Sequence, residues 1–274
     1  MSVSKAELDS FTNVLFQKYG IDFTCYEHQS LSRRVNRVLH NFKVDSIHEL
    51  WVMMLRDRNL IFTFMDQISV GLTSMFRDPM TWVELKKIFS TYKYDRVINV
   101  WNAGCSTGEE VYTLTIMLDE LGILDKVNIL ATDMNQSAME DAKKGIYHKV
   151  KMIDYEKHYK QFNKFGNFSR YYTTDENHII MKDYLIKNVK FKYHNLTTDL
   201  FPGQFDFIFN RNVLIYFDQK MKDKLITQFY QSLKPNGYYI LGFYDSILSE
   251  EQKSKYINTL SSFRLFQKPA SVLA

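Results

Sequence analysis

Hydrophobic and polar positions change their rhythm once along this chain. Up to about residue 92 the apolar residues recur at helical spacing and little reads as strand. A first helix is predicted from about Lys5 to Tyr19, stopped by Gly20, a residue that tolerates left-handed backbone. A second is predicted from about Ser30 to Phe42. In it Leu31, Val35, Val38 and Leu39 share one stripe at the 3.6-residue period, and Arg33, Arg34 and Arg37 are expected on the other side as a cationic face. More helix is predicted from Ile47 to Ser69 and from Pro79, a good first-turn residue, to about Tyr92.

After Asp95 short apolar runs alternate with amphipathic helices, the pattern of βαβ units around a parallel sheet. Val97 to Trp101, Val127 to Thr132, Phe205 to Phe209 and Tyr238 to Gly242 read as strands. Helices are predicted near Thr107 to Leu121, Gln136 to Lys144 and Gln219 to Leu233; in the last, Met221, Leu225 and Phe229 repeat at i+4, and Pro235, Asn236 and Gly237 stop it. Aromatic and β-favouring residues from Phe162 to Leu185 break the rhythm and suggest a small β insertion at about 162–188. The expected architecture is an all-helical N-terminal domain with its linker over 1–92, then a Rossmann-like α/β domain over 93–274.

Composition narrows the function. With 274 residues, 45% of them hydrophobic, the chain can bury a sizeable core. The net charge of +4 is too small and too scattered to imply nucleic acid by itself. Cys25 and Cys105 lack the spacing of a disulfide framework or a zinc site, which favours a reducing compartment and no metal. Met1 to Ser10 carries Glu7 and Asp9 without an apolar core, and no window approaches the ~20 apolar residues of a membrane span. A cytoplasmic, soluble protein is expected.

The candidate chemistry lies after three predicted strands. Val100 to Glu110 follows a strand and opens a helix: Gly104 permits a tight turn, and Gly108 lets a ligand approach the helix N-terminus. Ser106 with Glu109, or Thr107 with Glu110, also has capping-box spacing. Asp133 ends the next strand, where a carboxylate accepts from both hydroxyls of a ribose, or else caps the following helix. The glycine pattern is not G-x-G-x-x-G, and two glutamates crowd the helix start; this disfavours a pyrophosphate and suits a ligand with cationic groups, such as S-adenosylmethionine. Asn210 to Asp218 leaves a buried strand as a loop, placing Arg211, Asn212 and Tyr216 at the rim where ligands bind in such sheets.

Taken in order, these segments resemble the CheR-type chemotaxis receptor methyltransferases. Gly71 to Asp78 is similar to the family's T-x-F-F-R-[DE], Ala103 to Glu110 to its A-G-C-S-T-G-E-E, and Asn210 to Asp218 to its C-R-N-V-x-I-Y-F-D. The resemblance implies transfer of a methyl group from S-adenosylmethionine to glutamate carboxylates of chemotaxis receptors, with S-adenosylhomocysteine as product. It implies a cofactor pocket of Gly71, Thr73, Arg77, Gly104, Glu110, Asp133, Asn195, Leu196, Arg211 and Asn212. It further implies Arg77 and Tyr216 beside the transferred methyl, Arg34 and Arg37 docking the receptor's cytoplasmic helical domain, and a β insertion that helps hold the receptor. The chain departs from the family at Gly71 (usually asparagine), Met75, Val111 and Gly242-Phe243-Tyr244-Asp245-Ser246, where G-H-S-E-S is usual.

A glutamate side chain ordinarily titrates at about pH 4.3, so it is ionised at neutral pH and needs no general base, consistent with the lack of a convincing catalytic histidine. A monomeric enzyme without nucleic-acid or metal partners is expected. The main rival is a non-catalytic module that senses S-adenosylmethionine; a nucleic-acid methyltransferase lacks its N-P-P-[YF] motif, and a nicotinamide oxidoreductase lacks its glycine spacing.

Overall fold

Apolar stripes at helical spacing fold the first part of the chain into a layer of α1 (Lys5–Tyr19), α2 (His28–Phe42), α3 (Ile47–Arg56) and α4 (Leu60–Ile68). A computed structural model describes residues 3–19, 21–57, 59–68, 73–91, 96–245 and 248–270. Leu8, Phe11 and Leu15 of α1 meet Leu31, Val35 and Val38 of α2, Leu50 and Met54 of α3 and Phe64 of α4 in one core. The Glu27 carboxylate caps α2, accepting from the backbone N–H groups of Gln29 and Ser30 at 3.0 and 2.6 Å. The single helix expected over Ile47 to Ser69 is two: the Asp57 carboxylate accepts from the Asn59 N–H at 2.9 Å, and this local turn competes with helix continuation. The stop expected at Gly20 and the ends at Ser69 and Tyr92 lie outside the described residues.

From α5 (Pro79–Thr91) onward the elements are β1 (Ile98–Ala103), α6 (Glu109–Glu120), β2 (Val127–Asp133), α7 (Gln136–Lys144), β3 (Ile146–His148), α8 (Met152–Phe162), β4 (Tyr172–Thr174), β5 (His178–Met181), β6 (Val189–Tyr193), β7 (Phe205–Asn210), α9 (Gln219–Ser232), β8 (Leu233–Leu241), α10 (Glu250–Ser254), β9 (Ile257–Leu260) and β10 (Leu265–Gln267). The main sheet runs β6-β2-β1-β7-β8-β10-β9. Its first five strands are parallel, and β10 is antiparallel to both neighbours. All of β7 is buried, because helices cover both faces. Phe207 and Phe209 pack on Phe89 and Trp82 of α5, while Trp101, Ile208 and Tyr239 pack on Leu225 and Phe229 of α9.

The chain travels outward from β1 to β2 and β6, then crosses to β7 and β8 on the other side of β1. The order therefore reverses between β1 and β7, and at such a switch point the loops leaving the carboxyl ends part to open a crevice. The helical layer closes on this rim. The Asp218 N–H donates to the Cys25 carbonyl at 2.8 Å, the Glu27 N–H to the Tyr216 carbonyl at 2.9 Å, and the rings of Tyr26 and Phe217 meet at 5.0 Å.

The architecture is the expected α/β fold preceded by helices, with differences in detail. The β-type insertion is a three-stranded sheet, β3-β5-β4, that begins upstream of Phe162 and encloses α8. Strand β8 starts at Leu233 rather than Tyr238: Leu233 pairs with Phe205, and an irregularity absorbs Lys234 to Gly237 before Tyr238 pairs with Phe207.

Candidate active site

The loop after β1 is built on backbone that favours glycine: φ is +93° at Gly104 and +90° at Gly108. A Cβ on Gly104 would collide with Val213 Cγ2, so the loops after β1 and β7 touch there. The amides of Gly104 and Cys105 donate to the Thr132 carbonyl at 2.8 and 2.9 Å, seating the loop on the end of β2. Neither capping box forms. Gly108 caps α6 without a side-chain bond, and Glu109 is fully buried, accepting from Thr107 Oγ1, Tyr155 Oη and Lys151 Nζ.

Glu110 points the other way. Its carboxylate accepts from Asn102 Nδ2 at 2.8 Å and from Arg211 Nη1 at 2.6 Å. The buried Arg211 also donates through Nη2 to Asp78 Oδ2 at 2.7 Å and to the Arg77 carbonyl at 3.1 Å. One guanidinium thus ties α6 and the loop after β7 to residues 77–78, using the planar fork that suits arginine to this work. Asp133 does not cap α7, which is capped by Asn135 through Ala138 N–H at 2.9 Å. The Asp133 oxygens accept instead from the amides of Ser106 and Asn135 at 2.8 and 2.9 Å. Burial raises its pKa, and those amides oppose the shift.

These loops surround a cleft of about 360 Å³. Thr73, Arg77, Gly104, Glu110 and Asp133 line it from one set of loops, and Asn195, Leu196, Arg211, Asn212 and Tyr216 from another. Gly71 lies outside the described residues. Arg34 lines the cleft as well, which corrects its placement on a solvated docking face. It stands three residues after Leu31 and so shares the buried stripe of α2, at 8% exposure. Its guanidinium lies 3.9 Å from the centre of the Tyr216 ring, and Nη1 donates to the Ile68 carbonyl at 3.1 Å. Arg37 is exposed, as is Arg33, and Arg37 Nη2 donates to the Gln67 carbonyl at 2.9 Å.

Sequence reasoning passed over three residues at this site. Tyr26 reaches it from the helical layer, its hydroxyl 3.4 Å from Met134 Sδ. Tyr244 lines the mouth. Asp245 is buried beneath it, with Oδ2 accepting from the amides of Asn212 at 2.5 Å and Gly242 at 2.8 Å. Only the Gly242 to Ser246 departure hinted at the last two.

Comparison with known proteins decides the family. Residues 71–263 match the family model described as CheR methyltransferase, SAM binding domain, and residues 6–69 match its all-alpha domain. The chain belongs to the CheR methyltransferase family. It is 32% identical over 263 residues, 96% of each chain, to a protein of Pseudomonas putida that bears the provisional name methyltransferase Cher3. It is 29% identical to the chemotaxis protein methyltransferase of Borreliella burgdorferi, covering 90% of each chain. To that of Vibrio parahaemolyticus it is 28% identical, covering 94% of this chain and 95% of the relative.

The residues of this CheR-family cleft fit the methyl donor whose binding the domain is named for. Its volume falls in the range of small-molecule sites. Arg211 Nε, Asn212 Nδ2 and His194 Nδ1 are buried polar atoms on cleft-lining residues, and none has a partner within the protein. Groups of this kind call for a ligand or water.

Proposed function

We propose that this CheR-family methyltransferase transfers the methyl group of S-adenosylmethionine to glutamate side-chain carboxylates in the cytoplasmic helical domain of chemotaxis receptors. The observation that carries the reading is convergence. Asp133 at the end of β2, the Glu110–Arg211 ion pair beside β1 and β7, and the Arg77 and Tyr216 side chains all border one cleft. When bound, the donor supplies a methyl carbon activated by its sulfonium: the S–CH3 bond breaks as an O–CH3 bond forms, leaving neutral S-adenosylhomocysteine and a neutral ester.

The chain's own residues bind, orient and exclude water. Asp133 has lone pairs beyond the two that take backbone amides, and these accept from the ribose hydroxyls. Asn195 and Leu196, after β6, border the neighbouring space for the adenine ring. Arg77 presents its fork to the acceptor carboxylate. The Tyr216 ring, fixed by the Arg34 guanidinium on its face, walls the reacting centre. No base takes part, because the acceptor is already an anion at neutral pH; the acceleration comes from in-line positioning and desolvation. Arg33 and Arg37, the exposed cations of α2, face an acidic receptor helix, whereas Arg34 serves the cleft.

The test uses the purified protein, methyl-labelled S-adenosylmethionine and membranes of its own organism. Label on receptors that is released by mild alkali as methanol is the expected result. Absence of label, or label stable to alkali, would overturn the reading.

A further inference from the structure

The turn after β8 departs from the family pattern by replacing His-Ser with Phe243-Tyr244, and both rings stand in solvent, 60% and 65% exposed. Large aromatic rings left in water beside a cleft are unfavourable unless something packs on them. Tyr244 lines the cleft. Its ring centre lies 5.4 Å from the Arg77 guanidinium and 5.6 Å, edge-on, from Phe243. On the far side the Arg264 guanidinium lies 5.9 Å from the Phe243 ring and donates to the Phe243 carbonyl at 3.3 Å. The pair is therefore a braced lip. Its base is fixed too, because Asp245 holds the Gly242 and Asn212 amides together.

Strand order says which ligand the lip meets. Asp133 and Asn195 follow β2 and β6, whereas Tyr244 follows β8, three strands from β2. At about 4.8 Å per strand this separates the two ends of the rim by about 14 Å. The nucleoside end of the cleft is remote from Tyr244, and the end Tyr244 borders is the one Arg77 shares.

Resting on the methyl-transfer reading, we infer that Tyr244 is a specificity-determining residue of the acceptor side. Its ring keeps the Arg77 guanidinium aimed at the incoming carboxylate and, with Phe243, packs against the methylene stem of the acceptor glutamate and an apolar neighbour on the receptor helix. The acceptor class it selects is a glutamate flanked by apolar or aromatic side chains, which a serine at this position would not favour.

The test compares wild type, Tyr244→Ser and Tyr244→Phe in methylation of receptor-bearing membranes, with S-adenosylhomocysteine affinity measured by calorimetry. Tyr244→Ser is expected to lower kcat/KM for the receptor about three- to ten-fold, the scale of one cation–aromatic contact plus burial of a ring, with product affinity within about two-fold of wild type. Tyr244→Phe, which keeps the ring under Arg77, recovers most of that loss. An unchanged receptor kcat/KM in Tyr244→Ser, or a loss that appears instead in product affinity, overturns the inference while leaving methyl transfer intact. Wild type that fails to label receptors overturns both.

Discussion

Replacing Arg211 with Met asks how much of the rim is held by charge. The Arg211 side chain is 2% exposed, and its ion partners Asp78 and Glu110 are 28% and 17% exposed. Met retains an apolar stem but leaves two carboxylates beside one another without their shared cation. Removing one partner of a buried ion pair costs about 3–5 kcal/mol. Partial access of water to both carboxylates reduces this to about 2–3 kcal/mol. For a chain of this size the loss corresponds to a fall in Tm of about 4–12 °C. Trp82 is the natural probe, since its indole donates to the Arg77 carbonyl at 3.0 Å and its ring lies 5.4 Å from the Arg211 guanidinium. Adding Glu110→Gln to the variant removes one of the two stranded charges and is expected to restore part of the stability, while S-adenosylhomocysteine uptake stays lost in both. A Tm for Arg211→Met within about 2 °C of wild type would refute the charge argument. Unchanged product affinity would refute the placement of Arg211 in the binding cleft.

Gly104→Ala combines a backbone penalty at φ +93° with overlap against Val213 Cγ2, and a loss of about 2–4 kcal/mol is expected by thermal melting. Val213→Ala added to it should relieve the overlap but not the backbone strain; no recovery in the double variant would contradict this account. Asp133→Ala and Arg77→Ala are both expected to abolish receptor labelling. Asp133→Ala should also strand the amides of Ser106 and Asn135, costing about 1–3 kcal/mol each where water is excluded, so turnover in either variant or an unshifted Tm for Asp133→Ala would count against the assignments. Burial pushes the Asp245 carboxyl from 3.8 up to about 6, opposed by the amides of Asn212 and Gly242. Its folded pKa exceeds the unfolded one, so the native state keeps a proton the unfolded chain has released. Stability therefore falls by about 3 kcal/mol as pH rises from about 4 to 6 and is level above. Asp245→Asn should lose that slope in melts run across the window, and a wild-type slope in the variant would exclude Asp245 as its source.

Legibility of the fold followed burial on both faces. Strand β7, covered on each side, shows as an apolar run broken within it only by Asp206, which Arg96 and Lys234 neutralise, and α7 is bounded at both ends by Asn135 and Gly145. Strand β6 escaped notice because it lies at the sheet edge, where Lys190 and Lys192 alternate with half-buried residues and weaken the pattern. Helix α8 was hidden by its neighbours: Tyr155, Tyr159 and Phe162 form a helical stripe, but the aromatic richness continuing past Phe162 reads as strand. Strands β9 and β10 are short, and β10 depends on pairing with β8.

At the cleft, what could be read was what sits directly after a strand. Gly104, Glu110, Asp133, Arg211 and Asn212 stand at the end of β1, β2 or β7 or within eight positions of it, where topology alone delivers a side chain to the rim. Groups that arrive from elsewhere left no such mark. The 3.6-residue period puts Arg34 on the stripe of Leu31 and Val38, yet a guanidinium on a buried stripe looks costly until the Tyr216 ring and the Ile68 carbonyl are known to receive it. Those partners come from the loop after β7 and from the end of α4, so Arg34, with Tyr26, carries the helical layer into the cleft. Without α2 the Tyr216 ring would lose the cation on its face, and the cleft would lose a wall.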